Sequence, residues 1–247
     1  MLKKLRKRVS VSIMMLMSIF SLIGCNAIDE SQAAVVEELL EKKYNQEFVS
    51  TAIGGRYGTA NNDTVTTFLH PKGKEDLVFR AVMNKDRELI SDTYIPRLIS
   101  AEINEMLQSG LEKEGIESAT HTYAMKANSA GETNPNITLG EYTQSYKPAY
   151  FSGHMIVKEK EGLTPEQFET AMKAVYETGN QTNFQIKIRV IAADEYEKAL
   201  KDFKEEPDVT DTWFTDYDVV RYIVAAVDGN GFNYREDGAR ASVGDGE

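Results

Sequence analysis

The sequence contains a single cysteine, Cys25, among 247 residues. One cysteine cannot form an internal disulfide, so the stability of the folded chain must come from its hydrophobic core. The three histidines, His70, His121 and His154, lie far apart in the sequence, and none has a second histidine, a cysteine or a regularly spaced acid beside it. The usual spacings of zinc ligands are absent, and the sequence predicts neither a metal site nor a cofactor.

Positive charge is also scarce, with 28 Lys and Arg against 39 Asp and Glu and a net charge of −11. Nucleic-acid binding needs clustered cations that displace counterions, so this balance argues against such a partner. Ser152 lacks the Gly-x-Ser-x-Gly pattern of a hydrolase nucleophile, and the glycine-rich residues 54–58 lack the Lys-Ser/Thr ending of a phosphate-binding loop. The sequence therefore predicts no catalytic residue.

The sequence also lacks an apolar run long enough to cross a membrane comfortably. Residues 9–23 are apolar or small and uncharged, but they fall short of the roughly 20 residues that a spanning helix needs. A cationic head precedes them, formed by Lys3, Lys4, Arg6, Lys7 and Arg8. A basic head, a short apolar run and small residues at its end are typical of a secretory signal. We expect residues 1–24 to be a removable signal peptide.

The apolar run ends in Leu22-Ile23-Gly24-Cys25, which resembles the lipobox of bacterial lipoproteins. The resemblance implies cleavage between Gly24 and Cys25, diacylglycerol and palmitate-type acylation at Cys25, and a mature chain held by its lipid on the extracytoplasmic face of the cell membrane. Two or more acyl chains suffice for stable anchoring. The alternative is an uncleaved signal anchor. A secreted protein without structural cysteines is common in Gram-positive bacteria, so we expect that source.

The rest of the chain alternates between helical and strand periodicity. Apolar residues recur at helical spacing in residues 34–44 and 94–114 and in helices that begin near Thr138, Thr164 and Asp194. Short β-branched and aromatic runs occupy residues 48–53, 64–69, 77–83, 120–126, 151–157, 184–190 and 219–227. We expect 184–190 to have one polar, solvated face and 219–227 to be covered on both. These patterns predict an α+β fold with small mixed or antiparallel sheets and packed amphipathic helices.

Composition divides this fold into two subdomains. Residues 127–136 are polar and rich in turn formers, which indicates a linker between an N-terminal unit (33–126) and a C-terminal unit (137–232). Residues 25–32 are predicted to be a lipid-anchored tether, and the polar residues 233–247 a frayed tail. A single continuous domain is the alternative. After removal of residues 1–24, which carry five cations and no acid, the net charge would be −16.

Two exposed stretches could contact a partner. Arg56 and Tyr57 lie in the glycine-rich stretch, and Trp213 lies in an acidic segment where packing against the core and a weak calcium site are alternatives. By elimination, the sequence favours a non-catalytic module that binds or assembles another envelope protein. A cell-envelope hydrolase with carboxylates assembled in space and a solute-binding lipoprotein are the alternatives.

Overall fold

A computed structural model describes residues 30–54, 63–206 and 208–237. The signal segment, Cys25 and the stretch that carries Arg56 and Tyr57 lie outside the described residues. Within them, helices pack on two mostly antiparallel sheets, which confirms the predicted α+β class. No helix in the described ranges is long and apolar enough to cross a bilayer.

The elements lie close to their predicted positions. The helices are α1 (Glu30–Tyr44), α2 (Tyr94–Lys113), α3 (Leu139–Tyr146), α4 (Glu169–Thr178) and α5 (Tyr196–Glu205), with short 3₁₀ helices at Pro165–Phe168 and Asp211–Asp216. The strands are β1 (Phe48–Gly54), β2 (Thr64–Pro71), β3 (Phe79–Asn84), β4 (Leu89–Asp92), β5 (Ser118–Met125), β6 (Tyr150–Lys158), β7 (Phe184–Ile191), β8 (Val219–Asp228) and β9 (Gly231–Asp237). Helix α1 includes residues 30–32, which the sequence assigned to the tether.

Local side-chain chemistry explains where α3 begins. The Thr138 hydroxyl accepts a hydrogen bond from the Glu141 backbone N–H (3.3 Å), and the Glu141 carboxylate accepts one from the Thr138 backbone N–H (2.9 Å). This capping box satisfies amide donors that have no partner inside the helix. Hydrogen bonds from the Thr138 backbone N–H and hydroxyl to the Glu141 carboxylate lower the pKa of Glu141. The predicted helix start at Thr138 is confirmed.

The first sheet has the order β1-β2-β3-β4 and is antiparallel throughout. Its strand β4 was not predicted, because four residues are too short to show a strand period. The β1 edge is partly blocked by α1, whose Glu37 carboxylate accepts a hydrogen bond from the Ser50 backbone N–H (2.7 Å). Such a cap removes one of the free donors that make edge strands prone to pairing with other chains.

The second sheet has the order β5-β6-β7-β8-β9, with β6 and β7 parallel and the other neighbours antiparallel. Strand β5 was assigned to the N-terminal unit, but it pairs with β6 along its whole length. The sheets therefore separate at α2 and not at the polar residues 127–136. Composition marks exposed chain, whereas strand pairing depends on contacts between distant residues.

The chain beyond residue 232 also differs from the prediction. Residues 233–237 belong to β9, which forms a hairpin with β8, so the predicted frayed tail does not begin at 233. The Asp228 carboxylate accepts a hydrogen bond from the Asn230 backbone N–H (2.7 Å), and Gly231 has a φ of 107°. A positive φ suits glycine, which explains why the turn forms here. Strand β8 buries Ile223, Ala225 and Val227 on one face only, contrary to the expectation of two covered faces.

One large hydrophobic cluster contains side chains from α1, both sheets, α2 and α4. Helices α2 and α4 approach closely at Gly110, where an added Cβ would lie 2.7 Å from the Cβ of Ala171. The absence of a side chain at Gly110 thus allows the two helices to touch. Helix α2 precedes the predicted linker and α4 follows it, so the two predicted units share this cluster.

The cluster includes a polar defect that suggests a stabilising change. Thr67 on β2 is fully buried, and its hydroxyl has no hydrogen-bond partner among the described residues. Valine has nearly the same shape, so Thr67→Val should raise the free energy of unfolding by about 1 kcal/mol, measured by urea denaturation. Thr143→Val is the matched control and should be destabilising, because the Thr143 hydroxyl donates to the Leu139 carbonyl (2.9 Å). Equal effects of the two changes would contradict this account.

Candidate functional site

The outer face of the first sheet carries apolar side chains that do not join the core. Its inner face buries Val65, Leu69, Phe79, Ala81 and Met83. The remaining apolar side chains of the sheet that belong to neither hydrophobic cluster are Val49, Ala52, Phe68, Val82 and Ile90, and we call these five residues the outer patch. Val49 is 40% exposed and Ile90 55%, while Phe68 and Val82 are half-buried.

Strand register places a cation beside the patch. Ala52 pairs with Phe68, and Phe68 pairs with Arg80, so these three residues form a row across β1, β2 and β3. Arg80 is exposed, and no described carboxylate lies within ion-pair distance of it. Lys72 and Lys85 of the same half are paired with Glu47 and Asp63. The row thus combines apolar surface with a positive charge that the described residues leave without a counter-ion.

The predicted contact residue Trp213 lies elsewhere. It belongs to the second 3₁₀ helix, is half-buried, and stacks on Tyr217 with ring centroids 4.5 Å apart. Its ring also makes edge contacts with Phe203 and Phe214. This packing is the alternative that the sequence left open for Trp213. Arg56 and Tyr57, which join β1 to β2 in the sequence, lie outside the described residues.

The second sheet is covered on its far side by α5 and the second 3₁₀ helix, which we call the cover segment (Tyr196–Glu205 and Asp211–Asp216). It packs on the sheet through a second hydrophobic cluster, formed by Ile156, Ile191, Tyr196, Ala199, Phe203, Val209 and Phe214. His121 of β5, His154 of β6 and Arg189 of β7 lie beneath the cover segment. Strand β7 was expected to have a solvated polar face; Gln185 is exposed as expected, but Arg189 on the same face is buried.

Two histidines that are distant in the sequence meet in this layer. His121 and His154 are direct cross-strand partners on β5 and β6. The Nδ1 atom of His121 accepts a hydrogen bond from Arg97 (3.2 Å), and that of His154 accepts one from Arg189 (3.1 Å). His121 donates through Nε2 to the Phe203 carbonyl (2.9 Å). A nitrogen that accepts from an arginine carries no proton, so both imidazoles are neutral.

Burial and the neighbouring arginines lower the pKa of both histidines to about 4. Desolvation is the larger cause in each case, and the guanidinium of Arg97 or Arg189 adds to it because two positive charges repel. The Asp211 carboxylate opposes the shift at His154 but does not cancel it. Sequence spacing gave no sign of this arrangement, because it depends on the β5–β6 register.

Asp211 connects the cover segment to the sheet. Its carboxylate accepts hydrogen bonds from Lys187 and Arg189, and the Arg189 guanidinium lies 3.8 Å from the centre of the Phe214 ring. Burial raises the pKa of Asp211, but the hydrogen bonds and charges of Lys187 and Arg189 outweigh it, and the net shift is downward. Asp211 therefore acts as a charged contact between the acidic segment and a basic strand face.

The described residues contain no group of three or more His, Cys, Asp or Glu side chains that could hold a metal ion. The described carboxyls with a shifted pKa are Glu132, Glu141, Glu166, Asp211 and Glu236, and the shift is downward in each. A general acid at neutral pH needs an upward shift. An open depression of about 590 Å³ beside α3 is lined mostly by polar side chains, such as Gln144, Lys147 and Asn180.

Comparison with known proteins extends the description of the fold. No family model and no curated protein sequence matches this chain. Among solved structures, the chain is similar to a DUF5037 family protein from Ruminococcus gnavus ATCC 29149, with a TM-score of 0.61 and 14% sequence identity. The similarity covers 81% of this chain and 94% of that chain. At this identity the similarity concerns the fold alone, and the α+β arrangement thus has an experimental counterpart.

Proposed function

We propose that the protein is a lipid-anchored, extracytoplasmic, non-catalytic module that binds or assembles another protein at the cell envelope. The sequence Leu22-Ile23-Gly24-Cys25 supports the anchor. The outer patch supports the binding role, and it is the observation that carries the proposal. Exposed apolar side chains grouped on one sheet face are typical of protein-binding surfaces, because their burial against a partner is favourable.

The chemistry of the patch suggests the kind of partner. Aromatic residues and arginine are enriched where proteins meet, and Phe68 and Arg80 are cross-strand neighbours. Arg80 has no described counter-ion, so an acidic side chain on the partner would complement it. We therefore expect an envelope protein that presents an apolar surface with at least one carboxylate. Arg56 and Tyr57 follow β1 directly in the sequence and are further candidates for this contact.

Crosslinking in the native cell, followed by identification of the captured proteins, tests the binding role. The double change Phe68→Asp and Ile90→Asp should reduce recovery of the partner at least tenfold, because carboxylates would be desolvated against an apolar surface. Tyr150→Asp is the matched control, since Tyr150 is 36% exposed on the second sheet, and it should leave recovery unchanged. Equal recovery with all three proteins would contradict the proposal. So would turnover of a cell-wall polymer that depends on carboxylates of this chain.

The anchor has a separate test. Cys25→Ala should abolish labelling by a fatty-acid probe and shift the protein out of the lipid-anchored membrane fraction, because Cys25 is the only thiol available for acylation. Cell fractionation with probe labelling measures both effects. Ser18→Ala, a change in the same apolar run, should leave both unaltered. Two results together would contradict the lipid anchor: no probe labelling of the wild type, and equal membrane binding of the wild type and Cys25→Ala.

A further inference from the structure

Two histidines lie between the cover segment and the groups beneath it, and each has an Nδ1 atom that carries no proton. His121 donates to the Phe203 carbonyl of α5, and the His154 ring lies against Phe214 of the 3₁₀ helix, with centroids 5.6 Å apart. Each ring also accepts a hydrogen bond from an arginine outside the cover segment, Arg97 of α2 for His121 and Arg189 of β7 for His154. Protonation at Nδ1 would replace that hydrogen bond with contact between two cations.

The groups around the two imidazoles are mostly positive. Arg97 of α2 faces His121, and Lys187 and Arg189 of β7 face His154. On the other side, Asp211 of the cover segment is already bound by Lys187 and Arg189, and Asp208 contributes a weaker negative charge. The tyrosines that border the layer are Tyr123 of β5, whose hydroxyl accepts a hydrogen bond from the Val209 N–H, and Tyr222 of β8, which lies beside Arg189. The Asp211 carboxylate lies 3.8 Å from the His154 Nδ1, but it is already shared between Lys187 and Arg189, so a protonated imidazole would have no carboxylate of its own.

We propose that protonation of His121 and His154 releases the cover segment from the second sheet while the main core stays folded. Opening would let water hydrate both imidazoliums and would separate Asp211 from Arg189. It would also expose a basic surface, formed by Arg97 of α2 with Lys187 and Arg189 of β7, on a protein whose net charge is −11. The proposal is independent of the binding role of the outer patch, which lies on the other sheet.

The organisation of the core makes this segment the unit that opens. The cover segment packs through the second hydrophobic cluster, which is separate from and smaller than the cluster that joins α1, α2, α4 and both sheets. Elements with little buried apolar surface open at lower free energy than the whole protein. Local opening thus relieves the two charged histidines without exposure of the main core.

The size of the effect follows from the two protonation equilibria. In the closed state both histidines have a pKa of about 4, against an ordinary value of 6.5 when exposed to water. The open state therefore takes up protons first as the pH falls. At pH 5 the equilibrium constant for opening should be about 20-fold larger per histidine than at pH 7, and about 500-fold larger for both. Asp211 adds little here, because Lys187 and Arg189 hold its pKa below the ordinary value of an aspartate.

Native-state hydrogen exchange on the purified full chain tests the proposal, with protection factors corrected for the intrinsic rate at each pH. At pH 7 the amides of α5 should already be less protected than those of α2, which reports opening of the cover segment alone. Between pH 7 and pH 5 the protection of α5 should fall about 500-fold. The sole tryptophan, Trp213, provides a second readout, since its accessibility to acrylamide should rise over the same range.

Variants distinguish protonation of the two histidines from other effects of low pH. His154→Asn keeps an acceptor near the Nδ1 position for Arg189 but cannot be protonated, so the fall in protection should be about 20-fold smaller than in the wild type. His70→Asn, which changes the histidine outside this layer, should leave the fall unaltered. Equal protection of α5 and α2 at every pH would overturn the proposal, because the segment would then open only when the whole chain unfolds. A flat pH profile for α5, or an unchanged fall in His154→Asn, would overturn it as well.

Discussion

Gly153→Ala should lower the free energy of unfolding by about 3 kcal/mol, the upper end of the cost of overpacking a well-packed site. An added Cβ at Gly153 would lie 2.4 Å from the His121 carbonyl oxygen and 3.1 Å from the Thr122 Cα. Both are backbone atoms of β5, which cannot rotate away as a flexible side chain would. Strands β5 and β6 would have to separate at the centre of their ladder, next to the His121–His154 pair.

Urea denaturation of the two proteins at pH 7 measures this cost. Gly131→Ala is the matched control, since nothing lies within 4 Å of a Cβ added at Gly131, and it should change the stability by less than about 0.5 kcal/mol. We also expect the denaturant slope to stay the same, because the substitution alters the folded state and not the surface exposed on unfolding. A Gly153→Ala protein as stable as the control would mean that the two strands are less closely paired than described.

Gly153 shows why the sequence predicts where helices and strands lie better than it predicts which of them pack together. The run 151–157 was assigned correctly as a strand from its apolar and aromatic residues, because that signal is local. The requirement for glycine arises from the approach of β5, whose residues lie on the other side of α3 in the chain. Thr138 and Glu141 are the opposite case, since a capping box joins residues three apart and is visible in the sequence.

The histidine layer illustrates the same limit for candidate sites. His121 and His154 carry no local motif, and only the antiparallel register brings them together. Arg189 alternates with apolar residues in β7, a pattern that indicates a solvated face unless another element covers it. The cover segment does so, and one of its acidic residues, Asp211, binds Arg189. The outer patch was likewise hidden, since half-exposed Phe68 and Val82 resemble core positions in the sequence.

Global stability should fall steeply between pH 7 and pH 5, by about 2 kcal/mol for each buried histidine and about 4 kcal/mol for both. The folded-state pKa of His121 and His154 is about 4, below the ordinary value of 6.5 that each regains on unfolding. Between these values the unfolded chain binds protons that the folded chain does not. Their contribution to stability is therefore complete above about pH 6.5 and is lost as the pH falls towards 4.

Urea denaturation at a series of pH values measures this loss. The slope of the free energy of unfolding against pH gives the number of protons taken up on unfolding. The wild type should approach two protons taken up on unfolding near pH 5, and His154→Asn should approach one. Between pH 7 and pH 5 the variant should therefore lose about 2 kcal/mol less stability than the wild type, even if it is less stable at neutral pH. A loss of about 4 kcal/mol is a large fraction of the roughly 5–15 kcal/mol by which domains are usually stable. An identical slope in both proteins would show that His154 is protonated in the folded state, contrary to its hydrogen bond with Arg189.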